Sequence, residues 1–234
     1  MTQGLLGART MAANAADPWT RMVRVTGWLG LASFVLLFAP IIALSTLGEP
    51  PFTASIEQAH GFIRNSSAAW VPFAQAIMTV AAIGLAWFVV GLALLLARAE
   101  GRPPWRSVAA LVSGVLLPAY LLFNASWAAA AYRGAEIEPG LAAYAFDVGN
   151  LGFANAWLAM GSFAVAAGWL VLETRVLGRW LGWWAVVSGV GLVVCRFVWT
   201  SEAWFAPYFL FWIWVVIVSV QLVRGRVGPG GGRP

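Results

Sequence analysis

Residues 145–172 read AFDVGNLGFANAWLAMGSFAVAAGWLVL, a run of 28 positions with a single ionisable side chain, Asp147. About 20 consecutive apolar residues suffice for a helix to cross the hydrocarbon of a bilayer. This run exceeds that length, so it predicts a membrane-spanning helix. The composition points the same way: 61% of the 234 residues are hydrophobic and 10% are charged, and mean hydropathy is +0.80. Soluble domains carry roughly a quarter charged residues, and a chain with fewer than half that share has too little polar surface to cover itself in water.

Further apolar runs lie on either side. The predicted spans are about 25–47, 71–97, 106–131, 145–172, 179–199 and 203–223, which makes the fold class an all-α polytopic membrane bundle of six helices. The six form one domain, residues 22–224. Residues 1–21 are expected to be a flexible tail, and the Gly/Pro-rich 225–234 a disordered one. The first span has upstream arginines like a secretion signal. Its apolar core is too long for one and no A-x-A cleavage site follows, so it is expected to remain as a membrane helix.

Charge sets the expected orientation. If the N-terminus lies inside, the inner segments hold 11 arginines against Asp17, Glu100 and Glu173, a net of +8. The outer segments hold Arg64, Arg133 and Arg196 against six acids, a net of −3. The positive-inside bias therefore predicts both termini in the cytoplasm. Trp19, Trp28, Trp105, Trp180, Trp183 and Trp184 fall at the inner ends of spans, and Trp70, Trp199 and Trp204 at the outer ends. Indole favours that boundary because one edge donates a hydrogen bond while the body is apolar.

Several chemistries are excluded. The single cysteine, Cys195, forbids an internal disulfide, and the single histidine, His60, forbids a bis-histidine haem or a histidine-rich zinc site. The arginines are spread between spans rather than gathered in a soluble patch, so nucleic acid is not an expected partner. No nucleophile–histidine pair, Walker motif or dinucleotide motif stands in a suitable context. No catalytic residue, metal ligand or cofactor is expected.

The longest outer loop is GEPPFTASIEQAHGFIRNSSAAW, residues 48–70. Its centre predicts a short surface helix with Ile56, Ala59 and Ile63 on one face, opened by a capping box of Ser55 and Gln58. His60 and Glu57 read as parts of that solvated helix rather than of a site. Asn65-Ser66-Ser67 matches a glycosylation sequon, and the match is expected to be a coincidence.

Polar residues within spans carry the functional question. Asp147, Asn150 and Asn155 share one face of the fourth helix. Arg196 is expected at the depth of Asp147, with Glu202 just past the following turn. Tyr120 and Asn124, one turn apart on the third helix, face the same way. Tyr120, Asn124, Asp147, Asn150, Asn155, Arg196 and Glu202 thus make a candidate outward polar pocket, or an Asp147–Arg196 ion pair that fixes helix packing. The packing role is the favoured one, because transport sites usually sit at mid-depth.

The segments VSGVLL at 112–117 and VSGVGL at 187–192, with ASFVLL at 32–37 as a fainter copy, suggest three related helical hairpins. LARAEGRPPW (96–105), FDVGNLGFA (146–154), TRVLGRWLGWWAVVSGV (174–190) and FWIWVVIVSVQLVR (211–224) together resemble the DUF4386-like family of six-span bacterial membrane proteins, common in actinobacteria. The chain departs from that pattern at Gly178, where the family shows a proline. The resemblance implies a topology in the bacterial plasma membrane and no activity. The expected role is a non-enzymatic membrane accessory, or a binder of a lipid-like molecule. The bilayer, and a membrane-protein partner or second copy, are the expected partners. A small transporter or channel using the outward pocket is the alternative.

Overall fold

A computed structural model describes residues 17–123 and 126–226. The expected tails at 1–21 and 225–234 fall mostly outside that range, as does Asn124. The described residues form eight α-helices and no strand. They are α1 (Pro18–Ser45), α2 (Ile56–Asn65), α3 (Val71–Glu100), α4 (Trp105–Phe123), α5 (Ser126–Tyr132), α6 (Pro139–Thr174), α7 (Arg179–Cys195) and α8 (Phe205–Val223).

Five helical segments are long and apolar enough to cross a membrane: Pro18–Ser45, Val71–Glu100, Pro139–Thr174, Arg179–Val198 and Glu202–Val223. The predicted span at 106–131 is covered by two helices, α4 and α5, on either side of residues 124–125. Prolines set several boundaries, with Pro18, Pro72 and Pro139 in first turns, where no backbone N–H is required. The first helix therefore opens at Pro18 rather than near 25, and α6 at Pro139 rather than 145.

The long helices close into a ring. Each packs on its neighbour in the order α1, α3, α4, α6, α7, α8, and α8 returns to α1. The ring is filled: Phe88, Trp157, Phe163, Phe211, Trp212 and Trp214 are at most 2% exposed. Phe163 of α6 lies 6.4 Å from Phe211 and 6.1 Å from Trp214, both on α8, so aromatic contact crosses the interior.

Small residues let the backbones meet. A Cβ on Gly161 would stand 2.7 Å from the carbonyl oxygen of Gly189, and one on Gly168 would stand 2.7 Å from that of Gly182. Both pairs repeat at seven-residue spacing along the antiparallel α6/α7 contact. The α1/α3 contact uses the same spacing, with Thr26 against Gly91 and Ser33 against Gly84. Contacts of this kind bring helices close enough for dispersion forces to hold them where lipid offers no hydrophobic drive. The indoles of Trp184 and Trp214 then tie α7 to α8, donating to Leu210 O at 2.9 Å and Leu181 O at 3.0 Å.

The three echoed segments occupy equivalent places in the ring. Ser33 faces Gly84 of its hairpin partner α3, and Ser113 shares a 2.7 Å hydrogen bond with Ser162 of its partner α6. Ser188 lies on the side of α7 that carries Trp184 and Gly191, which meet α8. The next residue in each copy faces the preceding hairpin: Phe34 meets Trp212, Gly114 meets Val89, and Gly189 meets Gly161. The match extends to Arg24, Gly27, Trp28 and Ser33 in α1 against Arg179, Gly182, Trp183 and Ser188 in α7.

Above one end of the ring sits a second, smaller core. Helix α2 opens with the expected capping box, Ser55 N–H donating to Gln58 Oε1 at 2.9 Å and Gln58 N–H to Ser55 Oγ at 3.3 Å. Its buried face is Ala59, Phe62 and Ile63, whereas Ile56 is exposed. Phe62 packs against Phe146 of α6 at 5.8 Å and Trp127 of α5 at 5.6 Å. The helix is thus docked on α5 and α6.

Candidate functional site

The predicted polar residues do not assemble as one cluster. Arg196 donates from Nε to Asn155 Oδ1 at 2.9 Å, both side chains half-buried. Asp147 is exposed and makes no ion pair with Arg196. Counting from the shared turn at 175–178 explains this. Asn155 lies 19 residues back along α6 and Arg196 lies 17 residues along α7, about 28 and 26 Å at 1.5 Å per residue. Asp147 is 27 residues back, about 40 Å. With its 36 residues, α6 rises past the end of α7 and carries Asp147 about 12 Å beyond the guanidinium.

Of the remaining candidates, Asn150 is buried and its Nδ2 meets no partner among the described residues. Tyr120 is half-buried against the main core, and Glu202 is exposed in the 3-10 turn Glu202–Trp204. Asn124 lies outside the described residues. Around the Asn155 level, Phe52, Phe153, Trp157, Trp199, Trp204 and Tyr208 form a contiguous aromatic layer with centroids 5.3–6.4 Å apart. Outside the membrane segments, the Ser55 hydroxyl donates to Glu57 at 2.8 Å and lowers that carboxyl below its ordinary value.

A second polar cluster lies at the opposite end, where the arginines gather. Glu100, the last residue of α3, reaches across the Gly101–Pro104 turn to the start of α4. It accepts from Arg106 N–H at 3.1 Å, Ser107 N–H at 2.9 Å and Ser107 Oγ at 2.6 Å, so it caps helix α4. Arg106 Nε also donates to Glu100 at 2.9 Å, and its Nη atoms hold Glu173 of α6. The guanidinium lies 5.7 Å from the ring centroid of Trp105 and 5.4 Å from that of Trp169. One arginine thereby joins α3, α4 and α6. The two rings meet edge to face at 5.9 Å. Sequence reasoning counted Glu100 and Glu173 only as minority charges on a basic side. Two acids among 11 arginines were the available signal for such a cluster.

Outward from this cluster runs a cleft of about 390 Å³, bordered by Trp105, Arg106 and Ala109 of α4, Gly161–Trp169 of α6, and Val193 of α7. Gly161, Ser162, Val165, Ala166 and Trp169 are its floor, and Ser162 and Trp169 are exposed. The floor is low because α6 presents Gly, Ser and Ala where a lipid-facing helix usually presents Leu or Phe. The cleft lies on the outer perimeter of the ring, within the apolar length of α6. Among the described residues, no group of three His, Cys, Asp or Glu side chains is placed to hold a metal ion.

Fold and site together define an all-helical, membrane-embedded bundle with a filled centre, a perimeter cleft and polar clusters at both ends. Comparison with protein-family models, curated proteins and solved structures finds no match.

Proposed function

We propose that this protein is a non-enzymatic, multi-pass membrane protein that holds a lipid-like molecule in the cleft formed by α4, α6 and α7. The observation that carries the reading is the cleft itself: about 390 Å³ of apolar-walled space open to the perimeter, on a bundle whose interior is filled by aromatic side chains. Small-molecule sites are concave, mostly apolar and built from a few elements, and this one fits that description.

In the same reading α4 supplies the third of six crossings, both termini lie in the cytoplasm and the arginine-bearing end faces inward. The host membrane is the bacterial plasma membrane, and the chain is a DUF4386-like protein. A membrane-protein partner or second copy packs elsewhere on the perimeter. A fatty acid bearing a photoreactive diazirine tests the site. Labelling concentrated on the peptide spanning Ser162 to Trp169 supports it, and labelling spread evenly over all perimeter helices sinks it.

The transporter alternative draws on Asn155–Arg196 and the exposed Asp147 at the other end. It requires a polar path past Asn155, where Trp157, Phe163 and Trp212 stand fully buried.

A further inference from the structure

The ends of the three helices that border the cleft carry unpaired cations. Arg102 lies in the turn before α4, separated from it by Pro103 and Pro104, Arg175 follows α6 and Arg179 opens α7, and all three are exposed. None forms an ion pair among the described residues, where both ion pairs belong to Arg106. Four arginines stand here against Glu100 and Glu173, which leaves +2. Glu173 is already neutralised by Arg106, so it does not screen the mouth from an anion.

Register places Arg179 on the correct side. Val186 and Val193 of α7 are the side chains that a Cβ on Gly168 or Gly161 would strike, at 2.9 and 2.7 Å. Arg179 lies one heptad below Val186 and two below Val193, on the same stripe facing α6. Arg175 leaves α6 two residues after Glu173, whose carboxylate is bound to the arginine beside the cleft. Trp105, Arg106 and Trp169 mark the arginine end of the cleft, and Arg102, Arg175 and Arg179 lie beyond it at the same ends of α4, α6 and α7.

We propose that the occupant is an anionic phospholipid, with one acyl chain along the floor of α6 and its phosphate among Arg102, Arg175 and Arg179. The inference rests on the lipid-binding reading above and adds the headgroup. An acyl chain without charge would fill the same cleft but leave three exposed cations at its mouth without a counter-charge. Guanidinium matches a phosphate in planar, bidentate geometry, and each basic group at a membrane surface adds to the attraction for anionic lipid. Trp105 and Trp169 flank the transition from chain to headgroup, the level that indole favours.

The experiment is lipid retention by the full-length protein in detergent, read by native mass spectrometry with phosphatidylglycerol and phosphatidylcholine of identical chains. The wild-type protein should retain phosphatidylglycerol about tenfold better, in line with partial use of three basic contacts. The triple variant R102Q/R175Q/R179Q should bring the two lipids to parity. The double variant R102Q/R179Q, which spares the left-handed Arg175 backbone, should lose most of the preference. Two cleft-filling variants, Ala166→Trp on the floor and Ala109→Trp on the wall, should lose both lipids. Equal retention of the two lipids by wild type overturns the headgroup assignment, and loss of both in the cleft-filling variants would still uphold the lipid-binding reading. Unchanged retention in both cleft-filling variants overturns the cleft itself and the headgroup with it.

Discussion

Arg196 shows how a charge is accommodated near the edge of an apolar layer. Its Nε–H is met by the Asn155 carbonyl rather than by a carboxylate, so the guanidinium is held in place without burying a second charge. Asn155→Ala should destabilise the protein by about 1 kcal/mol, between the roughly 0.6 typical of interhelical hydrogen bonds in membranes and the roughly 1.5–3 of hydrogen bonds to charged groups. Asp147→Asn, at an exposed position, should stay within about 0.5 kcal/mol of wild type. Thermal unfolding in detergent measures both. A double-mutant cycle should give non-additive losses for Asn155→Ala with Arg196→Gln and additive ones for Asp147→Asn with Arg196→Gln. Coupling between Asp147 and Arg196 would contradict the geometry. At the other end, Arg106 joins three helices, and its Glu100 partner is 2% exposed. Arg106→Gln should therefore cost more than Glu173→Gln, whose side chain is 52% exposed and gains little from pairing.

At the scale of elements, the α6/α7 contact depends on the absence of side chains. Gly161→Ala would drive a methyl group against a backbone carbonyl that cannot rotate away, and should cost about 1–3 kcal/mol. Gly61 in α2 is the contrasting case, since a Cβ there meets nothing within 4 Å. Gly61→Ala should stabilise by about 0.5–1 kcal/mol through helix propensity alone. Comparing the melting shifts of these two variants separates close packing from propensity. A neutral Gly161→Ala would mean that the two helices stand further apart than described here.

For the whole molecule, the closed ring with aromatic contacts across its centre bears on transport. Phe88, Trp157, Phe163, Phe211, Trp212 and Trp214 occupy the volume that a conduction path through one copy would need. Proteoliposomes containing the protein should therefore show no more ion or proton flux than empty vesicles. Flux abolished by Asp147→Asn would favour the transporter alternative over the lipid-binding one. The three hairpins also predict that the chain tolerates cuts between them. Co-expressed fragments split in the segment 133–138 of the second hairpin should associate less well than fragments split near Gly178, between the second and third.

The sequence by itself determined the class of environment, most of the helix count and the asymmetry of charge between the two ends. These follow from local quantities: run length, hydropathy and the positions of arginine and proline. The capping box at Ser55 and Gln58 was legible for the same reason, being confined to four consecutive residues. Only the tertiary structure decided which polar groups meet. Asp147 and Arg196 looked level when each span was centred on its own hydrophobic run. The 36-residue α6 is registered against the 17-residue α7 by the Gly161–Gly189 and Gly168–Gly182 contacts, which match Arg196 to Asn155 instead. The cleft and the Glu100–Arg106–Glu173 cluster were hidden likewise. They are made by residues far apart in the chain, Arg106 with Glu173 in the cluster and Trp105 with Val193 in the cleft, brought together when the ring closes. Hydrophobicity fixes which segments enter the membrane, but between segments already in lipid it expresses no preference for partner or register. Steric fit of small residues makes that choice, and it exists only once two surfaces are in contact.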